Sequence, residues 1–397
     1  MACYRLRNPI QRYAWGSRTV LPELLGAPSP SPEPWAELWI GAHARAPSQV
    51  LVGSDWRSLR AWIEDRPAPV LGARVAERFG AQLPYLLKVL AVERPLSLQV
   101  HPDAARAALG YAAEEAARIP LDSPERCYPD PNPKPELVCA LGPFEAFCGF
   151  RPLREIRAGA AALGARCFTA VLARVPPHAS PGEILARLLR LPEGERRAIA
   201  AELAARAGAG AGDDARLAWL ARLHEAFPGD VACAAPLLLH HVRLAPGEAL
   251  HLRPGDLHGY LRGTALELMA SSDDVLRAGL TRKHVDPEAL LAALNPEPAA
   301  PPRIVPTPGE PGEQVYAAPT EWFRLGLLRP EPSAPLALEV RRGAEVLLCL
   351  EGTGELRASD AREAVPFRRG EALFVAGETP RYEVRGAARL ARASSGL

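Results

Sequence analysis

Four side chains in this sequence carry atoms suited to holding a divalent cation: Gln99, His101, Glu136 and His258. The first two lie in Leu96-Ser-Leu-Gln-Val-His101, where Leu96, Leu98 and Val100 alternate with Ser97, Gln99 and His101. Strand side chains alternate between faces, so the apolar three face one way and the polar three the other, with roughly 7 Å between successive members. Glu136 closes the run Pro129-Asp-Pro-Asn-Pro-Lys-Pro-Glu136. Its prolines forbid a regular helix and present Lys134 and Glu136 on an extended backbone. His258 follows the tight turn Pro254-Gly-Asp256 at the start of a strand. Two imidazoles, a carboxylate and an amide oxygen suit Zn²⁺ or another borderline divalent ion. A set without cysteine points to an incompletely filled, substrate-facing site rather than a structural zinc. Spacing alone leaves hydrogen-bonded structural histidines as an alternative.

A second dense polar region runs from Glu267 to Asp286. Glu267 lies between Leu266 and Leu268 on a strand and therefore faces away from them, toward whatever the polar face lines. Arg277 and Lys283 flank Gly279 in a loop that can approach a ligand closely. Two cations and a nearby hydroxyl suit a phosphate group, with arginine able to bind it bidentately. A solvated loop with a surface ion pair is the competing reading. The sequence contains no G-x-S-x-G, H-E-x-x-H, Walker A or G-x-G-x-x-G motif, which removes the corresponding hydrolase, zincin, P-loop and dinucleotide readings.

The elements that must position these residues follow from pattern. Pro84–Val92 and Leu96–Val100 read as buried strands, and Asp103–Ala117 as a short helix. From Arg151 to about Asp230 the chain is rich in Ala, Leu, Arg and Glu. Within it, Ser180-Pro-Gly-Glu183 is a capping box, and Ile184, Leu185, Leu188 and Leu189 form an apolar helical stripe. Gly208–Asp213 reads as a loop before a further helix carrying Leu217, Leu220 and Leu223. Strands return over Leu237–Leu244, Leu257–Leu261 and Ala265–Met269, and Asp286-Pro-Glu288 opens a helix that stops at Asn295-Pro296. Pro296–Pro311 reads as a proline-rich linker. Short strands at roughly ten-residue spacing then suggest a sandwich or barrel. Pro246-Gly-Glu-Ala-Leu-His-Leu252 and Arg369-Gly-Glu-Ala-Leu-Phe-Val375 look like two copies of one hairpin.

The 397 residues suggest two or three domains. A formal charge of +1 gives no basis for a nucleic-acid or anionic-membrane partner. No uncharged run of about 18 apolar residues is present, and the start lacks an apolar signal core, so a cytoplasmic protein is expected. The seven cysteines are scattered, with no CxxC, as expected of reduced thiols.

Taken together, these stretches resemble the type I phosphomannose isomerases of the cupin superfamily. The resemblance rests on Ile10-Gln-Arg-Tyr-Ala-Trp-Gly-Ser17, Trp35-Ala-Glu-Leu-Trp-Ile-Gly-Ala-His43, Ala46-Pro-Ser48, Leu86-Leu-Lys-Val-Leu90, Leu96–Asp103, Lys134-Pro-Glu136, Pro254–Tyr260 and Glu267–Asp286. They fall in order along residues 8 to 290; the C-terminal part matches loosely. The resemblance implies interconversion of mannose 6-phosphate and fructose 6-phosphate with one zinc per chain. It places the zinc ligands on Gln99, His101, Glu136 and His258 and the catalytic arginine on Arg277. Further active-site residues fall on Ser97, Lys134, Glu267 and Lys283, with Lys88 an additional candidate. The chain departs from the family pattern at Ser271 and Asp274, at His240-His241 and at Arg282.

The expected architecture is mostly β with a helical insertion: two cupin-like β-barrels of jelly-roll type plus an α-helical domain. Residues 1–150 and 233–320 would form the discontinuous catalytic unit, 151–232 the helical insertion and 321–397 the C-terminal cupin-like unit. The expected protein is a monomer acting on a small sugar phosphate. A cis-enediol route needs a carbon base, for which Glu267 is preferred and Lys134 competes. Arg277 would stabilise the enediolate or hold the phosphate. A metal-dependent cupin oxygenase and a non-catalytic sugar-binding cupin are the rival readings.

Overall fold

The computed structural model describes residues 3–210 and 214–397. Among these, the strands form two antiparallel sheets. The first runs Arg303–Ile304, Ala249–Leu252, Glu136–Phe150, His258–Ala270, Tyr85–Val92, Glu37–Gly41 and Ile10–Gln11. Leu98–Val100 pairs with His258–Ala270 and with Leu276–Gly279, and Leu239–Leu244 with Glu136–Phe150. The second is centred on Glu345–Ala358 and Arg381–Ser394. It also takes in Cys3–Arg7, Gln49–Val52 and Asp55–Ser58 from the N-terminal part of the chain. The barrels expected from the sequence are not closed by hydrogen bonds. The end strands Ile10–Gln11 and Arg303–Ile304 are two residues long and lie at opposite ends of their sheet.

One apolar face of each sheet packs against the other. Leu87, Val89, Leu266 and Leu268 of the first share a core with Val346, Leu348 and Phe374 of the second. Because strand side chains alternate, Lys88 and Glu267, between those leucines and valines, are turned to the opposite face, directly across from each other. The strand Tyr85–Val92, apolar except for Lys88, is buried along its whole length. The hairpin resemblance holds: Gly247 (φ 87°) and Gly370 (φ 84°) make matching left-handed turns before Ala249–Leu252 and Ala372–Val375.

Helices Leu153–Leu163, Arg166–Ala173, Pro181–Leu189, Glu193–Gly210 and Ala218–Ala226 occupy the expected helical region. The Ser180 hydroxyl accepts from the Glu183 N–H and caps its helix. The glycine-rich stretch expected to be a loop is helical through Gly210, and the remainder, 211–213, lies outside the described residues. Leu217 precedes its helix, while Leu220 and Leu223 are buried in it. The strand expected from Leu237 begins at Leu239, because Ala235–Leu238 forms a helical turn with Pro236 near its start. The expected linker carries two-residue strands, Arg303–Ile304 in one sheet and Thr307–Pro308 in the other, so it carries the chain from one sheet to the other. No helix among the described residues is long and apolar enough to cross a membrane.

Candidate active site and metal centre

His101, Glu136 and His258 arrive from three strand termini. Gln99 faces His258 across one ladder and Arg277 across the next. Both imidazoles are oriented by the backbone: His101 Nδ1 lies 2.8 Å from the Asp274 carbonyl oxygen, and His258 Nδ1 lies 2.9 Å from that of Asp256. A carbonyl can only accept, so each Nδ1 carries the proton and each Nε2 presents a lone pair. Burial lowers the His101 pKa to about 4 against the pull of Glu136, and burial also lowers that of His258. Both rings are therefore neutral near pH 7.

The lone pairs converge on a carboxylate. His101 Nε2 is 3.2 Å from Glu136 Oε1, and His258 Nε2 is 3.6 Å from Oε2. The ligand atoms of this trio all lie within 4.8 Å of one another, and none of the three residues is more than 2% exposed. His101 Nε2, His258 Nε2 and Glu136 Oε2 have no hydrogen-bond partner among the described residues. Buried acceptors turned toward one another without a donor are costly, and a cation between them removes that cost. Burial works against the Glu136 charge, but in the acid range, where His101 takes up a proton, His101 and Lys134 outweigh it and hold the carboxyl well below its ordinary range. The Lys134 ammonium is 3.3 Å from Glu136 Oε1.

Above this centre opens a cavity of about 850 Å³. Ser97, Gln99, Lys88, Lys134, Glu136, Glu267, Arg277 and Lys283 all line it, so the structure brings every expected site residue to one place, with the two histidines buried beside it. Lys88 donates to Glu267 at 2.9 Å and lies 3.7 Å from Glu37. Burial raises the Glu267 pKa, and the charges of Glu136 and Glu37 add to the rise against the opposing pull of Lys88. Arg277 and Lys283 have no carboxylate partner among the described residues. Burial lowers both their pKa values.

The sequence reading missed Glu37 and Trp39, which also line the cavity; the Trp39 indole N–H donates to Glu37, and its ring lies 5.3 Å from the Lys88 ammonium. Their i, i+2 spacing is the same signal that singled out Gln99 and His101. It missed Tyr260 as well, whose buried hydroxyl faces the cavity. Ala226 and Phe227, at the end of the last helix of the insertion, complete the wall.

Comparison with known proteins settles the family. The model for the phosphomannose isomerase type I catalytic domain matches residues 3–153. A mannose-6-phosphate isomerase of Salmonella typhimurium is 38% identical over 395 residues, covering 98% of each chain. The chain belongs to the mannose-6-phosphate isomerase family. The family's Escherichia coli member is 39% identical over 98% of each chain, and the Homo sapiens member 32% identical over 94% of this chain and 93% of its own. A zinc-bound crystal structure of a mannose 6-phosphate isomerase superposes with a TM-score of 0.91 at 37% identity, covering all of both chains.

Proposed function

We propose that this chain interconverts D-mannose 6-phosphate and D-fructose 6-phosphate, with one zinc ion held by Gln99, His101, Glu136 and His258. One observation carries the reading: three buried acceptors without a hydrogen-bond partner among the described residues meet beside a cavity that Arg277 and Lys283 also line. The oxygenase alternative gives no reason for Arg277 and Lys283. We read the two sheets as cupin-like units: a discontinuous catalytic unit (1–150 and 233–320), a helical insertion (151–232) and a C-terminal unit (321–397) that receives the N-terminal strands.

Bound at the centre, zinc supplies Lewis-acid polarisation of the sugar oxygens at C1 and C2. Arg277 and Lys283 bind the phosphate and anchor the far end of the substrate. Glu267 removes the proton from C2 of the open-chain aldose, a double bond forms between C1 and C2, and the carbonyl oxygen at C1 takes up a proton. Glu267 then returns its proton to C1 on the same face as the hydroxyl at C2 gives up its own. Lys88, hydrogen-bonded to Glu267, orients the carboxylate and sets its affinity for the proton. Lys134, beside Glu136, is placed to donate to and accept from the sugar oxygens.

The test is a coupled isomerase assay with mannose 6-phosphate, before and after chelation and after zinc is restored. Turnover should vanish on chelation and return with zinc, with solvent deuterium entering at C1 of the fructose 6-phosphate formed. Full activity in the chelated protein overturns the proposal.

A further inference from the structure

The strand Leu276–Gly279 shows how the two phosphate-side cations are aimed. Leu276, Ala278 and Leu280 pack into the apolar cluster of the helical region, beside Val231, Ala232 and Cys233. Arg277, between them, is turned the other way, into the cavity. The chain then bends sharply: Gly279 has φ +136° and Leu280 φ +55°. The second value is a left-handed conformation that a leucine does not hold unaided. Thr281, Arg282 and Lys283 follow directly and line the cavity.

What holds the bend is a carboxylate from the end of the helical region. Asp230 Oδ2 accepts from the Leu280 N–H at 2.6 Å, while its Oδ1 accepts from the Ala232 N–H at 2.9 Å. The fit leaves no slack. A methyl group on Gly279 would stand 2.5 Å from the Ala232 Cβ and 2.8 Å from Asp230 Oδ1. Burial pushes the Asp230 carboxyl up, and backbone N–H groups of Ala232, Leu280 and Thr281 pull it down. Among the described residues no side chain pairs with it in a salt bridge.

We propose that Asp230 is a positioning residue for substrate binding: by fastening the Gly279–Leu280 bend to the helical region, it sets the directions in which Arg277 and Lys283 meet the phosphate. The role extends the isomerase reading, since it assumes that these two cations bind the phosphate. It also gives the insertion a task, because Asp230 ends the segment that the helices deliver against the site.

The experiment measures wild type, Asp230→Asn, Asp230→Ala and Arg277→Met side by side. The readouts are KM and kcat for mannose 6-phosphate, the affinity for inorganic phosphate from its protection against thermal unfolding, and zinc content. Asp230→Asn keeps one acceptor and the side-chain size, so it tests the bend with the least damage to folding. It should raise KM and weaken inorganic phosphate by about tenfold, the usual scale for a lost charge-assisted hydrogen bond. Zinc content should stay at the wild-type level, kcat should change by a smaller factor than KM, and Asp230→Ala should be worse than Asp230→Asn in the same direction. A lower melting temperature with unchanged KM and unchanged phosphate affinity overturns the proposal. So does an Arg277→Met protein that binds phosphate as well as wild type, since the grip would then lie elsewhere. If phosphate affinity depends on Arg277 and Asp230 but no isomerase turnover is found, the positioning role stands and the assigned reaction falls.

Discussion

Replacing Lys88 by methionine isolates the electrostatics of the base we assign. The ammonium is 2.9 Å from Glu267 Oε2, and the side chains are 10% and 6% exposed. At an effective dielectric constant near 20, unit charges at that separation attract by about 6 kcal/mol. Part of this offsets the cost of burying the charges. If about half survives as net preference for the ionised carboxylate, its loss changes the ratio of ionised to protonated Glu267 by roughly 10². The sign is fixed by the neighbours. Burial, Glu136 and Glu37 all raise the Glu267 pKa, and Lys88 opposes them. Removing Lys88 therefore moves that pKa further up, and the base is protonated over more of the working range.

The assay is the pH profile of kcat/KM from about pH 6 to about pH 9, with zinc content measured on each preparation. The acid limb should move to higher pH in Lys88→Met, with the deficit against wild type largest at the acid end and shrinking as pH rises. Lys88→Arg should restore part of the wild-type profile by returning the cation. A limb that stays in place, or a loss equal at every pH, would refute the reasoning. Lys88 would then act on the substrate and not on the charge of Glu267.

Glu267→Gln should lower kcat by at least about 10², the usual scale of acid–base catalysis, and suppress deuterium entry at C1 of the ketose while zinc content is retained; an unchanged kcat places the base elsewhere. His258→Ala removes one of the converging lone pairs, so metal analysis should find zinc lost together with turnover, and a zinc-replete variant contradicts the assigned ligand set. Glu145 joins the first sheet to the helical region by accepting from Trp219 at 3.0 Å, His241 at 2.9 Å and Arg262 at 2.9 Å. Glu145→Ala should cost on the order of 2 kcal/mol in urea unfolding, with the helical region affected first. Burial opposes the Glu145 charge, but these hydrogen bonds outweigh it and bring the pKa to about 2. A carboxylate held below its unfolded pKa stabilises above the ordinary carboxylate range and stops doing so as pH falls toward about 2. That acid-dependent part of stability should shrink in Glu145→Gln, as thermal melts across acid pH would register.

What could be read in advance followed a physical division. Alternation along one strand is a local signal, so Ser97, Gln99 and His101 were legible as one polar face, and so was the turn of Glu267 away from Leu266 and Leu268. The stiff proline run likewise announced Lys134 and Glu136. Glu37 and Trp39 have the same alternation yet were passed over, because what gives them meaning is Lys88, which the register sets opposite Trp39 on the neighbouring strand. Register between strands far apart in sequence leaves no local trace, which is also why the pairing of Cys3–Arg7 with Ala372–Val375 was not anticipated. Backbone partners are harder still. The Asp274 and Asp256 carbonyls that orient the two histidines could belong to any residue type, so no composition or motif reveals them. The glycines of 208–210 misled for the opposite reason: a weak local propensity for loops was overridden where the chain continues a helix already begun at Glu193. Side-chain chemistry is thus written in the sequence, whereas the acceptors that aim it are properties of the fold. The Asp230 carboxylate falls between the two. It is a side chain, but its function lies in a bend fifty residues away, and only the assembled structure joins them.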